Sequence, residues 1–342
     1  MTNPPVADLP LIVLQPVVDG HHAWVAMLLR ANPLPDEGAQ KRLFDAAGLA
    51  EALDGLPCVV PALGTAAETT DGYIRHIPAE TASDPASAAS EVPVKHGGGP
   101  FMALGVDSFS AFERCRKSGF SWFAGNYALQ PIPGMSARNA ARHTRVLQLL
   151  TLIGREAESR ELEEVVKQDP QLSYQLLRLV NSVAFSPGRT ITSFTHAITM
   201  LGRKPMQRWL QLLLYARPDE GGHSPLLPRA ALRAALMEQL FSSGTEAMRE
   251  LAFMAGMFSL LDVMMNESMT KLLAPLQLAV EVNRALLGRR GALGPALHAV
   301  ETSEKNAAAL GVALDDAHIP HGVWTGALIR ACHWAVRVSR EA

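Results

Sequence analysis

A chain of 342 residues exceeds the roughly 250–300 that one hydrophobic core usually organises, so two domains are expected. With 48% hydrophobic and 19% charged residues, it can bury a sizeable core, which excludes disorder over its whole length. A net charge of −2 provides no global basic field for nucleic acid or an anionic membrane.

The first half alternates strands and helices. "LIVLQPVV" (11–18), ended by Asp19-Gly20, and "LPCVVPAL" (56–63) between prolines are short apolar runs that predict buried strands. "DEGAQKRLFDAAGLAEAL" (36–53) predicts a helix with Leu43, Ala47 and Ala50 on one side. Residues 79–91 and 96–100 are small and polar without periodicity, which predicts a long loop. "FMALGV" (101–106) reads as a strand, "DSFSAFERCRKSG" (107–119) as an amphipathic helix, and "FSWFAGNYAL" (120–129) as a strand with its turn. This order is the α/β signature, and "QPIPG" (130–134) closes the domain.

Beyond residue 135 the apolar period is helical throughout. Leu162, Val165 and Val166 share one face of a helix over 160–168. Asp169-Pro170 then supplies an N-cap and a first-turn proline for a helix carrying Leu172, Leu176, Leu177 and Val180. Ser193 caps a helix with Phe194, Ala197, Ile198 and Leu201 on one stripe, ended by Gly202. Pro205 starts another that carries Trp209, Leu210 and Leu213. "LAFMAGMFSLLDVMM" (251–265), apolar on nearly all sides, is expected to be the central buried helix. Helices at 276–287, 294–308 and 322–338 complete an all-α body, expected to fold without the first half.

Residues 1–135 hold 8 Lys/Arg against 14 Asp/Glu, and residues 136–342 hold 23 against 19. Complementary halves are one reading of that split; the ordinary scatter of solvated surfaces is the other. Cys58, Cys115 and Cys332 are too few and too scattered for a disulfide framework or a structural zinc. No basic-then-apolar leader and no bilayer-length apolar run occurs, so a cytoplasmic protein without a membrane partner is expected.

The second half resembles the HDOD domain, a relative of the HD phosphohydrolases that lacks their metal-binding residues. "DPQLSYQLLRLVNS" (169–182), "ITSFTHAITMLG" (191–202), "WLQLLL" (209–214) and "AFMAGMFSLLD" (252–262) carry the resemblance. HD-type catalysis needs an adjacent His-Asp pair, and none occurs. His196 lies off its helix's apolar stripe, where a structural hydrogen bond is the plainer reading. Pro320 breaks the helical spacing of His318 and His321. Asn181 and Ser182 are read as caps that brace a turn.

The first half resembles a shortened, degenerate EAL domain, the barrel that linearises cyclic di-GMP. "LQPVVDG" (14–20) is similar to that family's opening strand, and "AMLLR" (26–30) stands at its Glu-Ala-Leu-x-Arg signature. "ALGVDS" (103–108) and "GFSWFAGNYALQPIP" (119–133) resemble two later segments. Ala26, Leu104 and Ala124 then occupy positions of two metal-binding glutamates and a glutamine, with Asp107 shortening a further glutamate. The resemblance implies that Gln15 and Arg30 are retained dinucleotide contacts. Otherwise Gln15 ends a strand ladder and Arg30 pairs with a surface carboxylate.

The expected fold is therefore α/β plus all-α. A truncated EAL-like domain (1–135), an incomplete barrel, precedes an all-helical HDOD domain (136–342). The expected function is a non-catalytic bacterial signal-transduction or scaffold protein, not an enzyme, acting through protein partners and without cofactor or metal. The alternative is a cyclic di-GMP receptor without hydrolytic activity; a homo-oligomer is a further expectation. DNA binding is disfavoured because the helix after Asp169 presents leucines where base readout needs polar side chains.

Overall fold

The computed structural model describes residues 9–31, 35–61, 69–70, 73–78, 89–91, 101–130, 137–169, 172, 202–215 and 224–341. Residues 79–88 and 96–100 of the expected loop, residues 131–136, and the segment containing Leu177, Asn181, Ser182 and His196 lie outside these residues, while Ala89–Glu91, expected in that loop, is a strand.

The described residues of the first half contain eight strands: β1 (Ile12–Asp19), β2 (Trp24–Ala31), β3 (Cys58–Pro61), β4 (Thr69–Thr70), β5 (Tyr73–Pro78), β6 (Ala89–Glu91), β7 (Phe101–Ala103) and β8 (Trp122–Phe123). Five of them, in the order β3-β2-β1-β8-β7, form a curled half-barrel. The β1–β2 hairpin is antiparallel, and Asp19 builds its turn by accepting from the backbone N–H groups of His21 and Ala23 at 2.8 and 2.9 Å. Three short strands carry the pairing on from β7, and Val59 opposite Ile74 brings β5 onto β3. The open edge expected of an incomplete barrel is thus met by the sheet's own chain.

The helix expected over 36–53 is divided. α1 (Glu37–Lys41) runs into a π turn (Arg42–Ala46), and Gly48 at φ 78° redirects the chain into α2 (Leu49–Leu53). α3 (Phe109–Lys117) is capped by Ser108, whose hydroxyl accepts from the Ala111 N–H.

The second half is helical: α4 (Ala137–Gly154), α5 (Ser159–Lys167), α6 (Arg203–Leu213), α7 (Leu227–Leu240), α8 (Glu246–Phe258), α9 (Leu261–Met265), α10 (Met269–Leu273), α11 (Val280–Gly288), α12 (Gly294–Lys305), α13 (Leu310–Asp316) and α14 (His321–Glu341). Asp169 accepts from the Leu172 N–H at 3.0 Å, the N-cap role that its sequence context predicts. Among the described residues, no helix is long and apolar enough to cross a membrane.

The central helix is α7 rather than residues 251–265. Every residue from Leu227 to Met237 is buried, Arg229 and Arg233 included. The expected continuous helix breaks after Phe258, because the Ser259 hydroxyl donates back to the Gly256 carbonyl and accepts from Arg233. Gly256 also sets the α7–α8 approach: a Cβ there would lie 2.5 Å from the Arg233 carbonyl oxygen.

The two halves share one core. Ile12, Leu14, Met27 and Leu29 of the sheet belong to the same buried cluster as Leu232, Val300, Trp324 and Leu328. Trp324, fully buried, donates its indole N–H to the Ile12 carbonyl at 2.9 Å, and the Thr325 hydroxyl donates to the Pro10 carbonyl at 2.7 Å. Among the described residues no ion pair crosses this seam, so apolar packing and bonds to main-chain carbonyls join the halves rather than opposite net charge. The helical half therefore does not complete its core alone, contrary to the sequence expectation.

Trp324→Ala should lower unfolding free energy by about 3–5 kcal/mol, measured by urea denaturation of the full chain. A fragment of residues 136–342 should melt well below the full chain, because its Trp324 side chain would be uncovered.

Candidate functional site

Strand alternation assigns the residues of the concave sheet face. Gln15 and Val17 on β1 lie opposite Leu28 and Ala26 on β2, with Arg30 two residues beyond Leu28 on the same side. Val17, Ala26, Leu28, Val59, Met102 and Ala124 form a small apolar cluster, with Leu104 and Trp122 packed against it. Ala26, Leu104 and Ala124, three positions compared above with family residues, therefore meet in one place. Their side chains have no donor atoms for a hard cation. Among the described residues, no group of three His, Cys, Asp or Glu is placed to hold a metal ion. The residues of this face do not fit a divalent metal.

Polar groups follow at the edge of the cluster. Arg30 donates to the Gln15 side-chain oxygen, and Gln15 Nε2 donates to Asn126 Oδ1, both at 3.4 Å. Asn126 Nδ2 then donates to the backbone carbonyl of Glu304 at 3.0 Å. Gln15 does not terminate a ladder; it sits within β1, buried, with its side chain spanning between two strand systems. Arg30 is half-buried, and among the described residues it pairs with no carboxylate. The Arg30 guanidinium at this edge is suited to an anionic group.

Behind Asn126 lies a buried charge network. Arg233 Nε and Nη2 grip both oxygens of Glu304 at 2.9 and 2.7 Å, and Nη1 donates to the Ser259 hydroxyl at 2.8 Å. Arg229 donates to the Gly125 carbonyl and lies 3.7 Å from Glu304, an ion pair without a hydrogen bond. Arg289, at φ 52° after α11, grips Glu301 through two bonds of 2.7 Å and donates back to the Ala285 carbonyl. Burial alone would push the Glu304 carboxyl up, but Arg233 and then Arg229 outweigh it and hold it below its ordinary range. Burial, followed by the charge of Arg233, pulls Arg229 down, with Glu304 opposing.

The histidines do not assemble into a ligand set among the described residues. His22 stacks on Phe112 with ring centroids 4.8 Å apart, and its Nδ1 lies 2.8 Å from the Tyr127 hydroxyl, so it serves the hairpin turn. His318 Nδ1 contacts the Asp315 carbonyl beside a helix end. Asp107 accepts from the Asn126 N–H at 2.9 Å and is a backbone brace. Sequence reading missed Asn126, Arg229, Arg233, Glu301 and Glu304. Two arginines at i, i+4 in one apolar helix and two glutamates at i, i+3 in another were the available signal.

Residues 142–285 match the HDOD domain model, and the chain carries an HDOD domain there. Cyclic di-GMP phosphodiesterase CdgJ of Vibrio cholerae is 32% identical over 213 residues, 60% of this chain and 48% of that protein. Uncharacterized protein YuxH of Bacillus subtilis is 27% identical over 211 residues, 60% of this chain and 51% of that one. The chain thus spans about half the length of these relatives. No solved structure matches. The first relative is named as an enzyme, and this overturns the expectation of a non-catalytic scaffold, together with the alternative of a receptor without hydrolysis. That expectation inferred a loss of chemistry from the missing His-Asp pair and from Ala26, Leu104 and Ala124, an inference that the relationship contradicts.

Glu304 makes stability depend on pH. A carboxyl lowered in the folded state contributes stability above its ordinary value near pH 4.5, lost as pH falls through the folded value. The melting temperature should therefore fall on acidification below that point. Glu304→Gln should lose up to about 3–5 kcal/mol at neutral pH, since Arg229 and Arg233 lose their shared carboxylate and Arg233 keeps only the 3.6 Å ion pair with Glu301, and should show a shallower acid slope in thermal melts from pH 7 to pH 3.

Proposed function

From an HDOD domain joined to a curled sheet with a cationic edge, we propose that this protein is an enzyme of cyclic di-GMP signalling that hydrolyses the dinucleotide. The observation that carries this reading is the similarity to cyclic di-GMP phosphodiesterase CdgJ. The sheet domain is read as a shortened relative of the EAL barrel, supported by the meeting of Ala26, Leu104 and Ala124 on one face.

In this reading Gln15 and Arg30 are the dinucleotide contacts. The Arg30 guanidinium presents parallel N–H donors that match two phosphate oxygens, and it stabilises charge that builds on them as water adds to phosphorus and one ribose oxygen leaves, taking the proton that water gives up. Leu104 and Trp122, only partly buried beside the cluster, are the apolar surface that a purine would meet, with Gln15 next to Arg30. The Arg30–Gln15 contact is long and uses one N–H, so the guanidinium keeps further donors for a charge-assisted bond to phosphate while Gln15 orients it.

The test is incubation of the full chain with cyclic di-GMP, with Mg²⁺ or Mn²⁺ and with chelator, followed by chromatography of the linear dinucleotide. Conversion above the protein-free control is expected, reduced at least tenfold by Arg30→Ala with the melting temperature nearly unchanged. No conversion under any condition would refute hydrolysis. Conversion unaffected by Arg30→Ala would move the reaction away from the concave face.

A further inference from the structure

Residues 125 and 126 are the point where the sheet touches the helical charge network. The Gly125 carbonyl accepts from Arg229, and Asn126 Nδ2 donates to the Glu304 carbonyl. Glu304 is fixed in turn by its paired bonds to Arg233 on the central helix. The room is tight as well: a Cβ on residue 125 would lie 2.2 Å from the Val106 carbonyl oxygen, so only glycine fits there. The Asn126 N–H, bound to Asp107, removes a further freedom.

The hydrogen bonds have one direction. Glu304 offers a carbonyl, an acceptor only, so Asn126 must turn its NH₂ toward it. The Asn126 oxygen then faces Gln15 and takes its NH₂, which leaves the Gln15 oxygen facing Arg30. A flipped Asn126 would set two NH₂ groups against each other and an oxygen against the Glu304 carbonyl. Gln15 is too buried for water to compensate such a reversal freely.

We infer that Asn126 is a positioning residue, through which Glu304 of the helical half sets the orientation of Gln15 and hence of Arg30. This rests on the reading of Gln15 and Arg30 as dinucleotide contacts. Asn126 itself need not touch the ligand. Its two contacts ahead of Gln15 and Arg30 are long at 3.4 Å, so the expected effect is moderate.

The experiment is isothermal titration of the full chain with cyclic di-GMP in the presence of chelator, for wild type, Asn126→Ala, Gln15→Ala and the double variant. Asn126→Ala should weaken binding about three- to tenfold in the wild-type background and have little further effect in Gln15→Ala. Asn126→Asp, which keeps size but sets an oxygen against the Glu304 carbonyl, should weaken it as well. Should Asn126→Ala fail to fold, Asn126→Ser serves in the same cycle. Unchanged affinity in Asn126→Ala, or an equal loss with and without Gln15, would overturn the positioning role while leaving the dinucleotide reading intact. Absence of binding by the wild-type chain would remove that reading and this inference together.

Discussion

The structure depends on a carboxylate shared by two buried arginines. Glu304 lies between Arg233, which grips it through two hydrogen bonds, and Arg229, which approaches to 3.7 Å while bonding the Gly125 carbonyl. Removing these charges from water is expensive, and their attraction offsets that only when the geometry is good. Here α7, α12 and the chain after β8 must all be in place at once for the geometry to be good. The network therefore acts less as a source of stability than as a condition on how the halves meet. Trp324 and Thr325 add the same condition at the other end of the seam, through the carbonyls of Ile12 and Pro10.

That constraint bears on the concave face. Its floor is apolar and its edge holds one arginine without a carboxylate partner among the described residues. Arg30 thus places a cation at this edge although the first half as a whole carries excess acid. The helical half reaches the face through Asn126, which donates to the Glu304 carbonyl, so the face and the packing of the helical half share a boundary.

Much of the fold was legible in the sequence. The strands at Ile12–Asp19, Cys58–Pro61 and Phe101–Ala103, the Ser108 and Asp169 caps, and the helical character after residue 135 follow from apolar period and capping chemistry. Gln15 and Arg30 were named, and they do lie together. The central helix was not legible, because Arg229 and Arg233 make an apolar segment look half solvated when viewed alone. Their partners Glu301 and Glu304 are some seventy residues away, and no local pattern links them. The break at Ser259 was hidden for the same reason: it depends on a hydroxyl answering to Arg233. The function misread had a different origin, since side chains missing from a compared motif describe that motif and not the whole chain's chemistry.

Whether the seam makes one unit of the two halves is tested most directly by native-state hydrogen exchange at increasing urea, read on peptides from β1 and from α7. The buried network and shared core predict that both exchange through the same global opening, with one free energy and one urea dependence. Exchange of β1 through a separate opening, at lower free energy and while α7 stays protected, would show that the sheet unfolds alone. It would contradict the claim that Glu304 and its arginines bind the halves together.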